Sequence, residues 1–255
     1  MNERDEFFIG YASPMPAGLV RFVSGIVIVL VFGVLVWAVV IASGHVPLEG
    51  GTFEFGHPQR FAGTIVERPY PALRLDETVG ASAAVLLVAP GKHGADALVR
   101  GLDGRHGVLT GTRIRRGALT MIEFEPASLA FAERSAPSFR SSAAQAETVS
   151  VDPVTVKGEV VDSKCFLGVM VPGSGKTHKD CASLCLRGGV PPALFVRDRA
   201  GESALMLLTG ASGEAIDARA LEIAGEAVEM TGMLQRQGGW PVLRTDPAAW
   251  RPINQ

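Results

Sequence analysis

The apolar positions along this chain fall into three patterns: one unbroken run, several alternations and two short solid blocks. The unbroken run covers residues 22–42, FVSGIVIVLVFGVLVWAVVIA, and carries no charge. About 20 apolar or small residues suffice to cross a ~30 Å hydrocarbon core. The alternative is a cleaved signal peptide, whose apolar region is about 7–15 residues long behind a short basic start. Here the run is longer, and the segment before it is not strongly basic. The pattern therefore predicts a transmembrane anchor over 22–43 behind a cytoplasmic segment 1–21, where Phe7, Phe8, Tyr11 and Pro14 are candidates for packing against a partner. Arg4 and Arg21 precede the span, and the first basic residue after it is Arg60. Basic residues stay on the cytoplasmic side. The expected topology has the N-terminus inside and the rest outside: in a bacterium, a chain in the inner membrane with periplasmic domains.

Beyond the anchor, period-two alternation marks strands. It surrounds Gly63 in FAGTIVE and Gly158 in VKGEVVD. Each alternating strand is followed by a solid apolar block (AAVLLVA, ALMLLTG) and a short helical stretch (ADALVRGL, AIDARALEIA). A hairpin then turns at Arg116-Gly117 or at Gly238-Gly239. Strands, one short helix and a closing hairpin are the order of a five-stranded OB-type barrel. The two halves also repeat in sequence. Adding 121 carries Thr110, Gly111, Arg115, Gly117 and Pro126 onto Thr231, Gly232, Arg236, Gly238 and Pro247. The first strands instead align at an offset of 95, Gly63 onto Gly158. The difference, about 26 residues, is an insertion in the second copy. The predicted fold class is thus mainly β: a transmembrane helix, an OB-like barrel over 55–130, a Ser/Ala/Pro-rich linker 131–153, and a second OB-like barrel over 154–252 carrying a Cys/His-containing helical insertion at 163–190.

Charge and composition narrow the function. The formal net charge is −2 and only 7% of residues are aromatic. Barrels of this type that bind single strands use a basic groove with stacking aromatics, and neither is visible, so no nucleic-acid partner is expected. No carboxylate pair or Ser/His/Asp set points to hydrolysis, which leans the reading away from an enzyme.

The chemistry collects in the insertion. All three cysteines, Cys165, Cys181 and Cys185, lie there with His178, in D-x-x-C, H-x-x-C-A-x-x-C and G-x-P order. Thr177 as an N-cap with Asp180 at N3, and Gly188-Gly189 as a stop, predict a helix over 178–187. His178, Cys181 and Cys185 then share one face, with Cys165 arriving from the strand end. Three thiolates and an imidazole make a tetrahedral set suited to zinc or to an iron–sulfur cluster. Two alternatives stand beside it. Outside the cytoplasm cysteines commonly pair, giving one structural disulfide and a spare thiol. A Cys at a helix start beside His178 and Lys179 could also be a redox-active thiol. Asp162 is a candidate acceptor that orients His178, or else a solvent-facing strand acid. Met170 reads as packing. His45, His57, His93 and His106 read as solvated. The Gly175-Lys176-Thr177 triplet lacks the earlier glycine of a phosphate-binding loop, since Met170 stands there.

Over about residues 154–245 the chain resembles a group of small exported bacterial OB-like proteins. The shared residues are Asp162, Cys165, His178, Cys181, Ala182, Cys185, Gly189, Pro191 and Thr231-Gly232. The resemblance implies export and a Cys/His site, without implying a reaction. In architecture the chain also looks like the membrane-tethered OB-fold haem chaperones, but their haem-attaching His is followed by a nearby Tyr, whereas Lys-Asp-Cys follows His178. Together these features lead to a membrane-tethered accessory protein with a metal or redox centre, serving a membrane oxidoreductase or respiratory complex.

Overall fold

The computed structural model describes residues 15–44, 50–76, 84–131, 153–216 and 222–253. Most of segment 1–21, including Phe7, Phe8, Tyr11 and Pro14, lies outside the described residues, as do 132–152 of the expected linker, 217–221 of the second helical stretch and His45. Two units are distinguished, residues 1–48 and 49–255. The first contains a single described helix, α1 (Ala17–Gly44), long and apolar enough to cross a membrane, with none of its residues buried. A membrane anchor and a signal sequence both fit such a helix.

The second unit holds two closed five-stranded barrels. Barrel 1 is built from β1 (Gln59–Val66), β2 (Ala72–Leu75), β3 (Ala84–Ala89), β4 (His106–Arg116) and β5 (Leu119–Phe124), with the short helix α2 (Asp96–Val99) before β4. β1 pairs with β2, β2 with β3, β3 in parallel with β5, β5 with β4, and β4 with β1, which closes the cylinder. Barrel 2 repeats this order in β6 (Val154–Asp162), β7 (Pro192–Arg197), β8 (Ser203–Thr209), β9 (Ala227–Gln237) and β10 (Trp240–Thr245). The ladder registers repeat too. Leu86 faces Met121 in barrel 1 and Leu207 faces Val242 in barrel 2, each 121 residues on. Gly63 faces Gly107, and Gly158 faces Val228, at the offsets of 95 and 121 read from the sequence.

The solid apolar blocks explain how the barrels sit together. In β3, Val85 and Leu87 enter the interior of barrel 1, whereas Leu86 and Val88 point the other way. In β8, Met206 and Leu208 fill barrel 2, and Leu205 and Leu207 point outward. Side chains alternate along a strand, so a strand without polar positions must bury both faces. Each barrel covers the other's outer face. Leu86, Val88, Ile114 and Met121 from barrel 1 meet Ala193, Leu207, Trp240 and Val242 from barrel 2 in one shared core. At about 1.5–3 kcal/mol for each large side chain withdrawn from water, this third core contributes as much per residue as either barrel interior. Tyr70, in the connection between β1 and β2, stitches the same boundary. Its hydroxyl donates to the Leu208 carbonyl at 2.6 Å and accepts from the Ile216 amide at 3.1 Å.

Candidate metal centre

The insertion leaves β6 at Asp162 and returns at Pro192. It opens with a wide turn, Cys165–Val169, whose Phe166 and Leu167 plug into the shared core. Arg116, at the tip of barrel 1's hairpin, donates to the Phe166 carbonyl at 2.7 Å and stacks over its ring. A tight turn, Lys176–His178, then leads into α3 (Lys179–Arg187). The expected helix is present, but its cap differs. His178, not Thr177, occupies the N-cap position, and no side chain caps the amides there. The tight turn satisfies the His178 amide with the Gly175 carbonyl at 2.9 Å, which frees the imidazole to turn inward. The stop at Gly188-Gly189 is as expected, with the Val190 amide bonded back to the Cys185 carbonyl at 3.0 Å.

The four residues singled out by the sequence come together. Cys165 is the hub: its sulfur is 3.9 Å from Cys181 Sγ and 3.8 Å from Cys185 Sγ. Ligand atoms of Cys165, His178 and Cys181 lie within 4.8 Å of one another, and so do those of Asp162, Cys165 and Cys185. The set lies close enough to hold a metal ion. A helix rises about 1.5 Å per residue, so Cys181 and Cys185, one turn apart on α3, present their sulfurs to the same strand end.

His178 is 2% exposed, and its Nε2 lies 2.8 Å from Asp162 Oδ2. Among the described residues its Nδ1 is buried without a hydrogen-bond partner. With Nε2–H donating to the carboxylate, Nδ1 carries the lone pair, and an unpaired buried acceptor normally costs about 1–3 kcal/mol. A buried imidazole with one nitrogen on a carboxylate and the other open has the form of a metal-ligating histidine. Asp162 is accordingly no solvent-facing strand acid: it is wholly buried, and its Oδ1 also accepts from the Cys165 amide at 2.8 Å.

Electrostatics split the thiols. Cys185 is pulled below the ordinary thiol range, because it accepts from Cys165. Cys165 is pushed up, because it donates that hydrogen bond and is buried beside Asp162. Glu159, whose carboxylate accepts from the Gly175 amide at 2.6 Å, is raised by its burial.

Two lysines belong to the site's surroundings and were not singled out in the sequence. Lys92, in barrel 1, places its Nζ 2.7 Å from Cys181 Sγ, and that hydrogen bond raises the lysine pKa. Lys164 is 1% exposed; it donates to the Ala89 carbonyl at 2.8 Å and pairs with Glu123, both in barrel 1. A lone lysine in a Gly-rich loop carries no motif. Barrel 1, which reads as scaffold in one dimension, is a wall of the site in three.

The remaining candidates fall elsewhere. Met170 is exposed rather than packed. His57 and His93 are exposed, whereas His106 pairs with Asp76 at 2.7 Å. A surface hollow of about 390 Å³ lined by Thr231, Arg244 and Asp246 lies on barrel 2, with none of the cysteines in its wall.

Compared with protein-family profiles, with curated proteins and with solved structures, the chain matches none.

Proposed function

We propose that this is a membrane-tethered accessory protein whose barrels hold one tetrahedral metal ion on Cys165, His178, Cys181 and Cys185. Its setting is the inner membrane, with the N-terminus inside and the barrels in the periplasm, as the bias of Arg4 and Arg21 against the empty stretch up to Arg60 suggests. Its partner is a membrane oxidoreductase or respiratory complex, a reading that joins the tether to a buried thiolate centre. The observation that carries the metal reading is the His178 imidazole, held by Asp162 on one nitrogen and open on the other, with the Cys165 and Cys181 thiols close by.

The sulfur spacing favours a single ion over a cluster. Zn–S bonds of about 2.3 Å at the tetrahedral angle put two sulfurs about 3.8 Å apart. The two Sγ separations measured from Cys165 are 3.8 and 3.9 Å. A multi-iron cluster puts its own iron and sulfide atoms between the ligands and needs them spread more widely. Such a centre has a full protein coordination shell, which suits a structural or electrostatic role better than catalysis.

A second reading keeps one specific observation. Cys165 lies equally close to both α3 thiols, so a small movement would make a disulfide with either, leaving one thiol spare. Metal content and thiol counting on the purified full chain in detergent separate the two. One zinc per chain and three thiols after chelation and denaturation are expected. One thiol and no metal supports the disulfide reading. Three reduced thiols with no stoichiometric metal, even after incubation with zinc, would sink the proposed centre.

A further inference from the structure

We infer that barrel 1 completes the metal centre: Lys92, held against the Cys181 sulfur, is a positioning residue that donates a hydrogen bond to that ligand. This deepens the proposed function and rests on it. Among the described residues, Cys165, His178 and Cys185 are all buried, and Cys181 alone of the four is half-exposed. The open side of Cys181 is where Lys92 sits, at 2.7 Å. Three thiolates and a neutral imidazole around a divalent ion carry a net charge of −1, and an ammonium at the outermost sulfur offsets it.

The lysine is not there by the accident of a long side chain. Its loop is clamped to the insertion on both sides. The Gly94 amide donates to the Gly188 carbonyl at 2.8 Å, just beyond α3. Lys164, next to Cys165, holds the carbonyls of Ala89 and Gly91 at 2.8 and 2.5 Å. The backbones approach so closely that a Cβ on Gly188 would fall 1.8 Å from the Lys92 carbonyl oxygen, and one on Gly94 2.0 Å from that of Gly189. Residues 89–94 of barrel 1 are therefore fitted to the two ends of the metal-binding segment. At the position 121 residues on, barrel 2 has Gly213, so the lysine is not part of the scaffold the two barrels share. The arrangement also makes Cys181 the edge at which an incoming thiol or other competing ligand meets the centre, and Lys92 the group it has to displace.

A hydrogen bond from an ammonium draws charge from a metal-bound thiolate, lowers its nucleophilicity and moves its charge-transfer absorption to higher energy. The test uses the full chain in detergent, reduced and loaded with cobalt(II) as a spectroscopic substitute for zinc. Wild type should show tetrahedral d–d bands and sulfur-to-cobalt charge transfer. Lys92→Met should keep the d–d bands, shift the charge-transfer band to lower energy, and react with iodoacetamide at Cys181 roughly tenfold faster, the loss of one charge-assisted hydrogen bond. Lys92→Arg, which still donates N–H, should restore both. Retained d–d bands also report that Lys92→Met is folded. Wild type and Lys92→Met with the same band energy and alkylation rate would overturn the role of Lys92 and leave the metal centre standing. First alkylation at Cys165 or Cys185 would overturn it as well. A wild-type chain that binds no cobalt would overturn both.

Discussion

Replacing Asp162 by Asn is the most discriminating perturbation of the centre, because it keeps size and shape and removes one acceptor. The Asp162 carboxylate uses both oxygens, Oδ1 for the Cys165 amide and Oδ2 for His178 Nε2, each at 2.8 Å, and it is fully buried. An Asn side chain offers one oxygen. If that oxygen stays on the Cys165 amide, the NH2 group faces Nε2. The ring then has to accept there and carry its proton on Nδ1, the nitrogen the metal needs. If the side chain flips, His178 keeps its tautomer, but the buried Cys165 amide loses its acceptor. Either way metal binding forfeits one buried hydrogen bond, about 1–3 kcal/mol. That corresponds to roughly a 10–100-fold weaker affinity, the range found when a metal ligand loses its orienting carboxylate. Competition against a chromophoric chelator, with thermal unfolding of the metal-free protein as a control on folding, measures it. Zinc affinity within twofold of wild type in a folded Asp162→Asn chain would refute the tautomer argument and, with it, Nδ1 as the ligating atom.

Other perturbations reach the elements around the site. Lys164→Met removes a buried ammonium from Glu123 and two carbonyls of barrel 1; denaturant unfolding should show a loss near the lower end of about 3–5 kcal/mol, since Glu123 keeps 18% of its side-chain exposure. Trp240→Ala hollows the core between the barrels, and the same assay should record about 3–5 kcal/mol. Glu159 is raised by burial above its ordinary value of 4.5, so its protonated form suits the fold, and it withdraws stability as pH rises through its folded pKa. Glu159→Gln, which can still accept from Gly175, should therefore match wild type at pH 4 and exceed it at pH 7; equal stability at both would refute the assignment.

Much of the fold was legible because barrels of this type announce themselves locally. Alternation around Gly63 and Gly158, the hairpin turn at Gly238-Gly239 and the two offsets reappear as ladder registers, whereas the turn expected at Arg116-Gly117 falls one residue on, at Gly117-Ala118, because Arg116 still pairs with Leu119. The four Cys/His positions were also visible, since three cysteines and a histidine within about 20 residues are conspicuous. The cap was misplaced by one residue because the tight turn before α3 satisfies its own amide, leaving Thr177 nothing to do. Asp162 read rather as a strand acid, because it aligns with Glu67 of barrel 1, and a strand ending in Asp looks the same whether its last residue faces water or a histidine. Lys92 gave no signal at all: its partner, Cys181, is 89 residues away. AAVLLVA and ALMLL lack polar positions, and a strand with no polar face requires a second burying partner.

By itself, then, the sequence determined the membrane-length apolar helix, the plan of two small barrels and the Cys/His cluster, because these depend on side-chain periodicity and on spacings of a few residues. Only the tertiary structure decided that the barrels share a core, that Asp162 and His178 form one buried pair, and that barrel 1 carries Lys92 to the cysteine-bearing segment. Those features depend on groups 16 to 146 residues apart meeting in space, and no local pattern encodes such a meeting until the two apolar faces have closed on each other.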